Sequence, residues 1–498
     1  MILSCPPTQT PVRLRPTPLP GPWVLVLVAV SLATALSGCG DSGAPGEKAV
    51  APVNVLLVSI DTLRADHMSV YGYERSTTPA LETLASQGVR FDAAYAPAST
   101  TAPSHASLFT SLYPPTHRVV KNGRVLADEH ETLAEVLSRW GYQCGAVVSS
   151  YVMHKKFNYD QGFDSWNDDF SQADSPVGIT VWEGGQVEGK FYGLADDTTR
   201  RAVDWLEARD ASQPFFLFVH YYDPHDPYAP PAGWAEPFEL DLPADSRRGL
   251  DLLIASYDGE IAYTDHEIGR LLDALDELGL RDQTLVVAIG DHGEGLMAHG
   301  HLNHGLQIYE ESVRIPLIFR WPSQLAANQV ISTPVSLTDV APTILELLRA
   351  GAESAGAGGR EGIELAELLS DAEGAARGRS LVPTLSGEEV ARGPVYLYRR
   401  PYEGGMIGGI WAEGEKFGLR DGRWKYIRAD ASPQAEELYD LEADPEERNN
   451  LQGSLPEVAR GLSERLALWL RSVSREDPAL LPLTAEDRAR LEALGYAD

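Results

Sequence analysis

Positive charge is what this 498-residue chain has least of: 41 Lys and Arg stand against 72 Asp and Glu, for a formal net charge of -31 and an isoelectric point near 4.7. Binding to a nucleic-acid backbone needs a basic face, so a nucleic-acid partner is excluded. An anionic ester would have to find a local cationic pocket, metal included, inside a repelling field. Cysteine is scarce as well, with Cys5, Cys39 and Cys144 the full set. No internal repeat is present. The apolar run Trp23 to Leu36 is too short to cross a bilayer comfortably. In other respects the composition, 43% hydrophobic and 23% charged, is that of a globular protein long enough for two domains.

That N-terminal run follows Arg13 and Arg15 and ends in Leu36-Ser37-Gly38-Cys39. The pattern is similar to a bacterial lipobox, in which cleavage leaves a lipidated cysteine at the new N-terminus. Residues 1–38 are then a lipoprotein-type signal peptide, and 39–52, rich in Gly, Ala and Pro, a tether. The protein is expected to be exported and held in the bacterial cell envelope through lipid on Cys39. An ordinary signal peptide, or a short anchor helix with an incidental cysteine, is the other reading. After processing, Cys144 alone would remain, which allows neither an intramolecular disulfide nor a thiolate metal cluster.

Beyond the tether, Asn54-Val55-Leu56-Leu57-Val58-Ser59-Ile60 is a continuous apolar run ending at Asp61. It predicts a parallel strand buried on both faces, with a carboxylate at its tip. Cys144 to Val148, Phe215 to Val219 and Leu285 to Ile289 read the same way, and Ile315 to Phe319 adds another apolar segment. Helical patterns over Glu131 to Trp140, Ala195 to Arg209, Ile254 to Leu278 and Asp339 to Leu348 alternate with them, predicting an α/β domain with a mostly parallel sheet flanked by helices. Ligands bind beyond the carboxyl ends of such strands, and Asp61, His220 and Asp291 all stand there. Gly- and Ala-rich Ala350 to Gly359 reads as a loop. Lys416 to Arg420, Trp424 to Arg428 and Glu437 to Leu441 are short strands with an Asp421-Gly422 turn, and Thr484 opens a capped C-terminal helix. The boundaries are 53–385 for a catalytic domain and 386–498 for a small antiparallel subdomain with a helical tail.

Four motifs follow one another: Ser59-Ile60-Asp61-Thr62-Leu63-Arg64-Ala65-Asp66-His67; Thr101-Ala102-Pro103-Ser104-His105; Tyr222-Asp223-Pro224-His225-Asp226-Pro227-Tyr228; and Gly290-Asp291-His292-Gly293-Glu294 with Asn303-His304-Gly305. Together they resemble the sulfatase branch of the alkaline-phosphatase superfamily, from about Val53 to the C-terminus. Asp61, Asp291 and His292 offer hard oxygens and a borderline nitrogen, suited to a divalent metal, with His292 favouring Zn²⁺ or Mn²⁺ over Ca²⁺. The resemblance implies one such metal, with the nucleophile oxygen as a further ligand. That oxygen belongs to Thr101, where the family carries a Cys or Ser matured to formylglycine; none is expected here. Thr101 precedes Pro103 at the start of a helix predicted over Ser104 to Ser111, and capping that helix is its alternative role.

The remaining assignments come from the resemblance. His304 aligns with a group that contacts the oxygens of the transferred group, and His225 aligns with a candidate general acid. Asn122 aligns with an oxyanion contact, Lys121 beside it is a weaker substrate-binding candidate, and His105 replaces an Arg that orients the nucleophile. His299, His301, His117 and Glu294 are donors for a second metal, a reading ranked below one metal. Thr62 and His292 depart from the sulfatase pattern toward the superfamily's phosphodiesterases, phosphonate monoester hydrolases and phosphoglycerol transferases. The expectation is a metal-dependent hydrolase of a sulfate ester, or of a related phosphate or phosphonate ester, attacking through Thr101 on a small-molecule, glycan or lipid substrate. A phosphodiesterase or phosphoglycerol-type transferase acting on envelope components, and a non-catalytic binding protein on the same scaffold, are the alternatives. The segment Ser171 to Gly193 is expected to contribute to specificity.

Overall fold

The computed structural model describes residues 53–473 apart from 172–177, 183–184, 244–246, 355–376, 389, 408–409 and 431–435, together with 484, 487–488 and 490–491. The expected signal peptide, Cys39 and tether lie outside the described residues, as does most of the expected C-terminal helix. Its opening is seen: Thr484 Oγ1 accepts from Asp487 N (3.2 Å) and Asp487 Oδ2 accepts from Thr484 N (3.0 Å).

The central sheet has eight strands. They are β1 (Asn54–Ile60), β2 (Val89–Phe91), β3 (Gln143–Val148), β4 (Ser165–Asn167), β5 (Phe215–Tyr221), β6 (Thr284–Gly290), β7 (Leu317–Arg320) and β8 (Gln329–Ile331). Their spatial order is β8-β2-β7-β6-β1-β5-β3-β4. All the pairings are parallel except those of β7, which runs against β6 and β2. Pro316 separates the expected Ile315–Phe319 segment into two: it has no N–H for a ladder, so Arg314–Ile315 joins a small sheet with Ala94–Tyr95 while β7 starts at Leu317.

Every residue of β1 is buried, and the pleat divides them. Val55 and Leu57 pack with Phe216, Phe218, Val287 and Ile289 under Ala102, Leu108 and Phe109 of the helix Thr101–Thr110. Leu56 and Val58 face the opposite layer, with Leu206 of the helix Ala195–Ala208 and Tyr257 and Ile261 of the long helix Leu250–Glu277. This two-sided burial is why the strands read as unbroken apolar runs. Cys144 lies in the first layer, buried, its thiol donating to Ala134 O (3.7 Å). Burial pushes that thiol up to about 12.

A second sheet is antiparallel and consecutive: β9 (Val395–Ile407), β10 (Ile410–Asp421), β11 (Trp424–Ala429) and β12 (Glu437–Asp440). Gly422, at φ 56°, turns β10 into β11. The helix Pro456–Ser472 crosses this sheet, with Trp469 stacked on Tyr396 at 4.4 Å. The fold is α/β with a small antiparallel sheet, as expected. In the predicted specificity segment, Gly178–Trp182 and Gly185–Gly189 pair as a two-stranded hairpin.

Candidate active site

Register brings the two acids together. Ile60 of β1 pairs with Gly290 of β6, so Asp61 and Asp291 leave adjacent strand tips side by side. The chain turns sharply after Asp61: Thr62 takes φ 52°, costly for a β-branched residue. Two bonds hold it there. Thr62 N donates to Asp291 Oδ1 (3.2 Å), and Tyr257 OH donates to Thr62 O (2.7 Å). Asp291 Oδ1 also accepts from His292 N (2.7 Å). One oxygen of Asp291 is thereby fixed by backbone, and Oδ2 is left without a hydrogen-bond partner.

His292 is fixed in the same manner. Its Nδ1 lies 2.9 Å from Gly293 O, and a carbonyl only accepts, so Nδ1 carries the proton and Nε2 presents a lone pair. That lone pair lies 3.5 Å from Asp61 Oδ1, 3.5 Å from Asp291 Oδ2 and 3.3 Å from Thr101 Oγ1. Thr101 is fully buried at the first position of its helix, which begins three residues earlier than the sequence suggests. The cap position is Thr100, with no side-chain cap bond, so the capping role for Thr101 is overturned. Its hydroxyl faces the acids at the positive end of the helix.

This donor set fits a divalent cation. Asp61, Asp291 and His292 present ligand atoms within 4.8 Å of one another, all buried. Both oxygens of Asp61 have no hydrogen-bond partner. Burial and the charge on Glu294 push Asp61 up to about 8, with His304 pulling the other way, and burial with the Asp61 charge raises Asp291 well above its ordinary value. Two dry carboxylates this close repel one another, and a cation between them would relieve that repulsion.

Glu294 and His304 form a pair beside them. Glu294 Oε2 is 3.3 Å from His304 Nδ1. Burial works against charge on His304, but Glu294, Asp61 and Asp291 outweigh it and raise its pKa; Glu294 is held below its usual value despite burial. The His304 ring packs against His292 (4.5 Å) and His225 (5.0 Å). His225 is different in kind: burial pushes it down to about 3, and its Nδ1 donates to Asp226 O (2.7 Å). Asn122 Oδ1 accepts from Ala102 N (2.8 Å) in the first turn of the nucleophile's helix, which leaves its buried Nδ2 without a partner. Lys121 precedes it, half-buried on the same loop.

His105 sits one turn below Thr101. Its Nδ1 donates to Thr101 O (2.9 Å), so the Ser59 hydroxyl donates to its Nε2 (2.9 Å). Burial, with His220 adding to it, lowers its pKa far below the ordinary value, so it is a neutral brace for the helix rather than a cation. The four donors of the lower-ranked second metal do not converge. His299 pairs with Glu311, His117 with Ser107, Glu294 with His304, and His301 lies 3.4 Å from Ser312 Oγ. Tyr257 gives no sign in the sequence beyond helical periodicity; His220, expected with Asp61 and Asp291 at the carboxyl ends of the strands, is the penultimate residue of β5.

The sulfatase family model matches residues 53–350. The chain belongs to the sulfatase family. It is an enzyme of the sulfuric ester hydrolase class, in a family that depends on divalent metal. Among relatives, an N-acetylglucosamine-6-O-sulfatase of Bacteroides thetaiotaomicron is 25% identical over 88% of this chain and 88% of its own length. Mouse arylsulfatase K is 25% identical over 83% of this chain and 78% of its own. In fold, a structure solved in complex with its substrate D-glucosamine-2-N,6-O-disulfate aligns with a TM-score of 0.66 at 21% identity, covering 86% of this chain and 100% of that one. The phosphonate monoester hydrolase of Agrobacterium radiobacter aligns at 0.63 and 23%, covering 84% and 96%.

Proposed function

We propose that this sulfatase hydrolyses its ester through Thr101, beside one divalent cation held by Asp61, Thr101, Asp291 and His292. The observation that carries this reading is the Thr101 hydroxyl, buried at a helix start 3.3 Å from His292 Nε2, to which it donates, and facing carboxylate oxygens that have no hydrogen-bond partner. Bound there, Zn²⁺ or Mn²⁺ would lower the pKa of the hydroxyl and neutralise charge on the transferred group. The Thr101 hydroxyl would release its proton to water once the cation is bound, and Oγ bonds to sulfur or phosphorus as the ester bond to the leaving oxygen breaks. His304, protonated by its pairing with Glu294, gives that oxygen its proton. His225, whose Nδ1 donates to Asp226 O and whose ring packs against His304, is the second candidate for that proton transfer. Asn122 Nδ2 donates to an oxygen of the transferred group, with Lys121 in reach of the substrate's anionic periphery. Water then cleaves the threonine ester and frees the enzyme.

The family makes the substrate a sulfate ester, and the glycan sulfatases among its relatives suggest a sulfated sugar. A second reading, a phosphodiester or phosphonate monoester, is favoured by Thr101 and His292 themselves. Formylglycine hydrate can expel sulfate by elimination, whereas a substituted threonine must be attacked at sulfur or phosphorus. Lipidation at Cys39, with an envelope location outside the cytoplasm, completes the proposal. The test is hydrolysis of an aryl sulfate and an aryl phosphodiester side by side by the metal-loaded protein, with Thr101→Ala as control. Turnover of either, lost by at least about 10³-fold in the variant, supports the reading and names the ester. Turnover unchanged in Thr101→Ala, or no turnover of either ester by metal-loaded protein, overturns it.

A further inference from the structure

The helix Pro79–Ser86 and the long helix Leu250–Glu277, together with β6 and β7, enclose a cavity of about 250 Å³. Its apolar lining comes from Ala80, Leu84, Leu272, Leu275 and Val286. Gln87, Arg281 and Arg320 stand in its polar lining. The cavity is remote from the catalytic centre. Arg320 pairs with Val286 near the start of β6, whereas Asp291 lies past the other end of that strand, about 16 Å along it. The walls are tied together without a ligand. Asp265 of the long helix accepts from Ala80 N (2.7 Å) and Leu81 N (2.9 Å). At Gly269 the two helices come so close that a Cβ there would lie 3.3 Å from that of Ala80.

Arg320 is the unusual member of the lining. It is only 4% exposed, and Arg seldom reaches such burial without a paired acid. Among the described residues no carboxylate bonds to it. Its Nη1 donates to Arg281 O (2.6 Å), and its buried Nε has no partner. The neighbouring Arg281 already has its acid, Asp276, and its Nη2 donates to Gln87 Oε1 (2.8 Å). Burial lowers the pKa of Arg320, and the Arg281 charge lowers it further, with Asp276 and Asp282 offsetting part of this. Two guanidiniums at one cavity, with one lacking an acid, reverse the local sign in a chain of net charge -31. A buried N–H without an acceptor is costly and calls for one.

We propose that this cavity binds a small aliphatic carboxylate, its headgroup on Arg320 and its chain against Leu84, Leu272, Leu275 and Val286. With Nη1 committed to Arg281 O, the Nε–Nη2 edge of Arg320 is the edge left for a ligand. That edge is a planar fork that matches the two oxygens of a carboxylate. A volume of about 250 Å³ is more than a bare oxyanion fills, and it falls just under the roughly 300–1,000 Å³ of sites for drug-sized ligands. Neither a cation nor Thr101 enters the proposal, so it stands or falls apart from the ester reading.

The test is titration calorimetry of the full chain with octanoate, compared with inorganic sulfate and with octanol. One octanoate per chain is expected, at least about 10-fold tighter than either comparison probe. Arg320→Met removes the fork and keeps the apolar volume; it should weaken octanoate by at least about 10-fold and leave ester turnover as it was. Leu272→Trp fills the cavity and leaves Arg320 in place; it should weaken octanoate equally and decides the matter if Arg320→Met does not fold. Thr101→Ala should bind octanoate as the parent chain does. No octanoate binding at millimolar concentration, equal binding of sulfate or octanol, or binding that survives either cavity variant overturns the proposal. Loss of binding in Thr101→Ala would place the octanoate at the catalytic centre and overturn it as well. Failure of the ester-hydrolysis test would leave these results untouched.

Discussion

At the level of single residues, three side chains of the site each commit one polar atom to backbone, which fixes the direction of the other. His292 spends Nδ1 on Gly293 O, His225 spends Nδ1 on Asp226 O, and Asp291 spends Oδ1 on two amides. Glu294 follows the same pattern, with Oε1 accepting from Gly295 N and Oε2 left to pair with His304. Glu294→Gln should lower the pKa of His304, since the carboxylate is what offsets its burial. The alkaline limb of the pH–rate profile should then move to lower pH, with a loss of about 10²-fold above it, read from kcat/KM between pH 5 and 9. His117 gives a stability counterpart away from the paired acids. Burial, with His130 adding to it, lowers it to about 3, while Nδ1 accepts from Val119 N and Nε2 bonds Ser107 Oγ. The unfolded chain takes a proton on this group below about pH 6.5 and the folded chain only near 3. Its contribution is therefore complete above pH 6.5 and is lost as pH falls toward 3. His117→Asn should cost about 1–3 kcal/mol at pH 8 and flatten the acid limb of the urea-midpoint curve.

At the level of elements, the close approach of Glu311 to the loop after β6 holds His292 in place. A Cβ on Gly293 would lie 2.0 Å from Glu311 O, a backbone atom that cannot step aside. Gly293→Ala should displace the His292 segment, weaken metal binding and cut turnover by about 10²-fold, while the sheet's circular dichroism persists. The elements differ in how far the sequence reveals them. β1, β3, β5 and β6 were legible because both their faces are buried, so the apolar runs have no polar interruptions. The helix Thr101–Thr110 was placed three residues late, because Pro103 sits inside its first turn, where proline costs little, rather than before it. β9 was not legible: Pro401, Gly404 and Gly405 break its pattern, and its register with β10 shifts between Arg399 and Tyr402 and again between Glu403 and Gly405. Asp61, Thr101, Asp291 and His292 could be picked out because motifs mark them. His220 could be placed beside them only by its position after an apolar run, and Tyr257 not at all, because its role depends on which strand packs beside its helix.

At the level of the whole molecule, the small sheet clamps the stretch that carries His304. Lys425 of β11 is buried between Glu310 Oε1 (3.0 Å) and Glu447 Oε1 (2.9 Å). Glu447 Oε2 accepts from Glu310 N (2.6 Å), and Arg448 donates to Ala298 O (2.6 Å). Both ends of the 298–310 stretch are thus tied to residues of the C-terminal region. Burial, offset in part by Lys425, leaves Glu447 pushed up to about 7. Lys425→Met should strand that carboxylate and cost about 3–5 kcal/mol near pH 8, and it should lower activity together with thermal stability. The deficit should shrink at pH 5, where Glu447 takes up a proton, as a melting-temperature series across pH would show.

The shielded thiol of Cys144 opens a practical route. Packed under Ala134 O and Tyr142 O, with its ionisation pushed up to about 12, it is closed to maleimides and to mild oxidants while the protein stays folded. Once Cys5 and Cys39 are replaced, a cysteine introduced at any surface position becomes the sole addressable thiol. A spin label, a fluorophore or a solid support can then be attached at one chosen point, with no native residue of the folded region removed to make room for it.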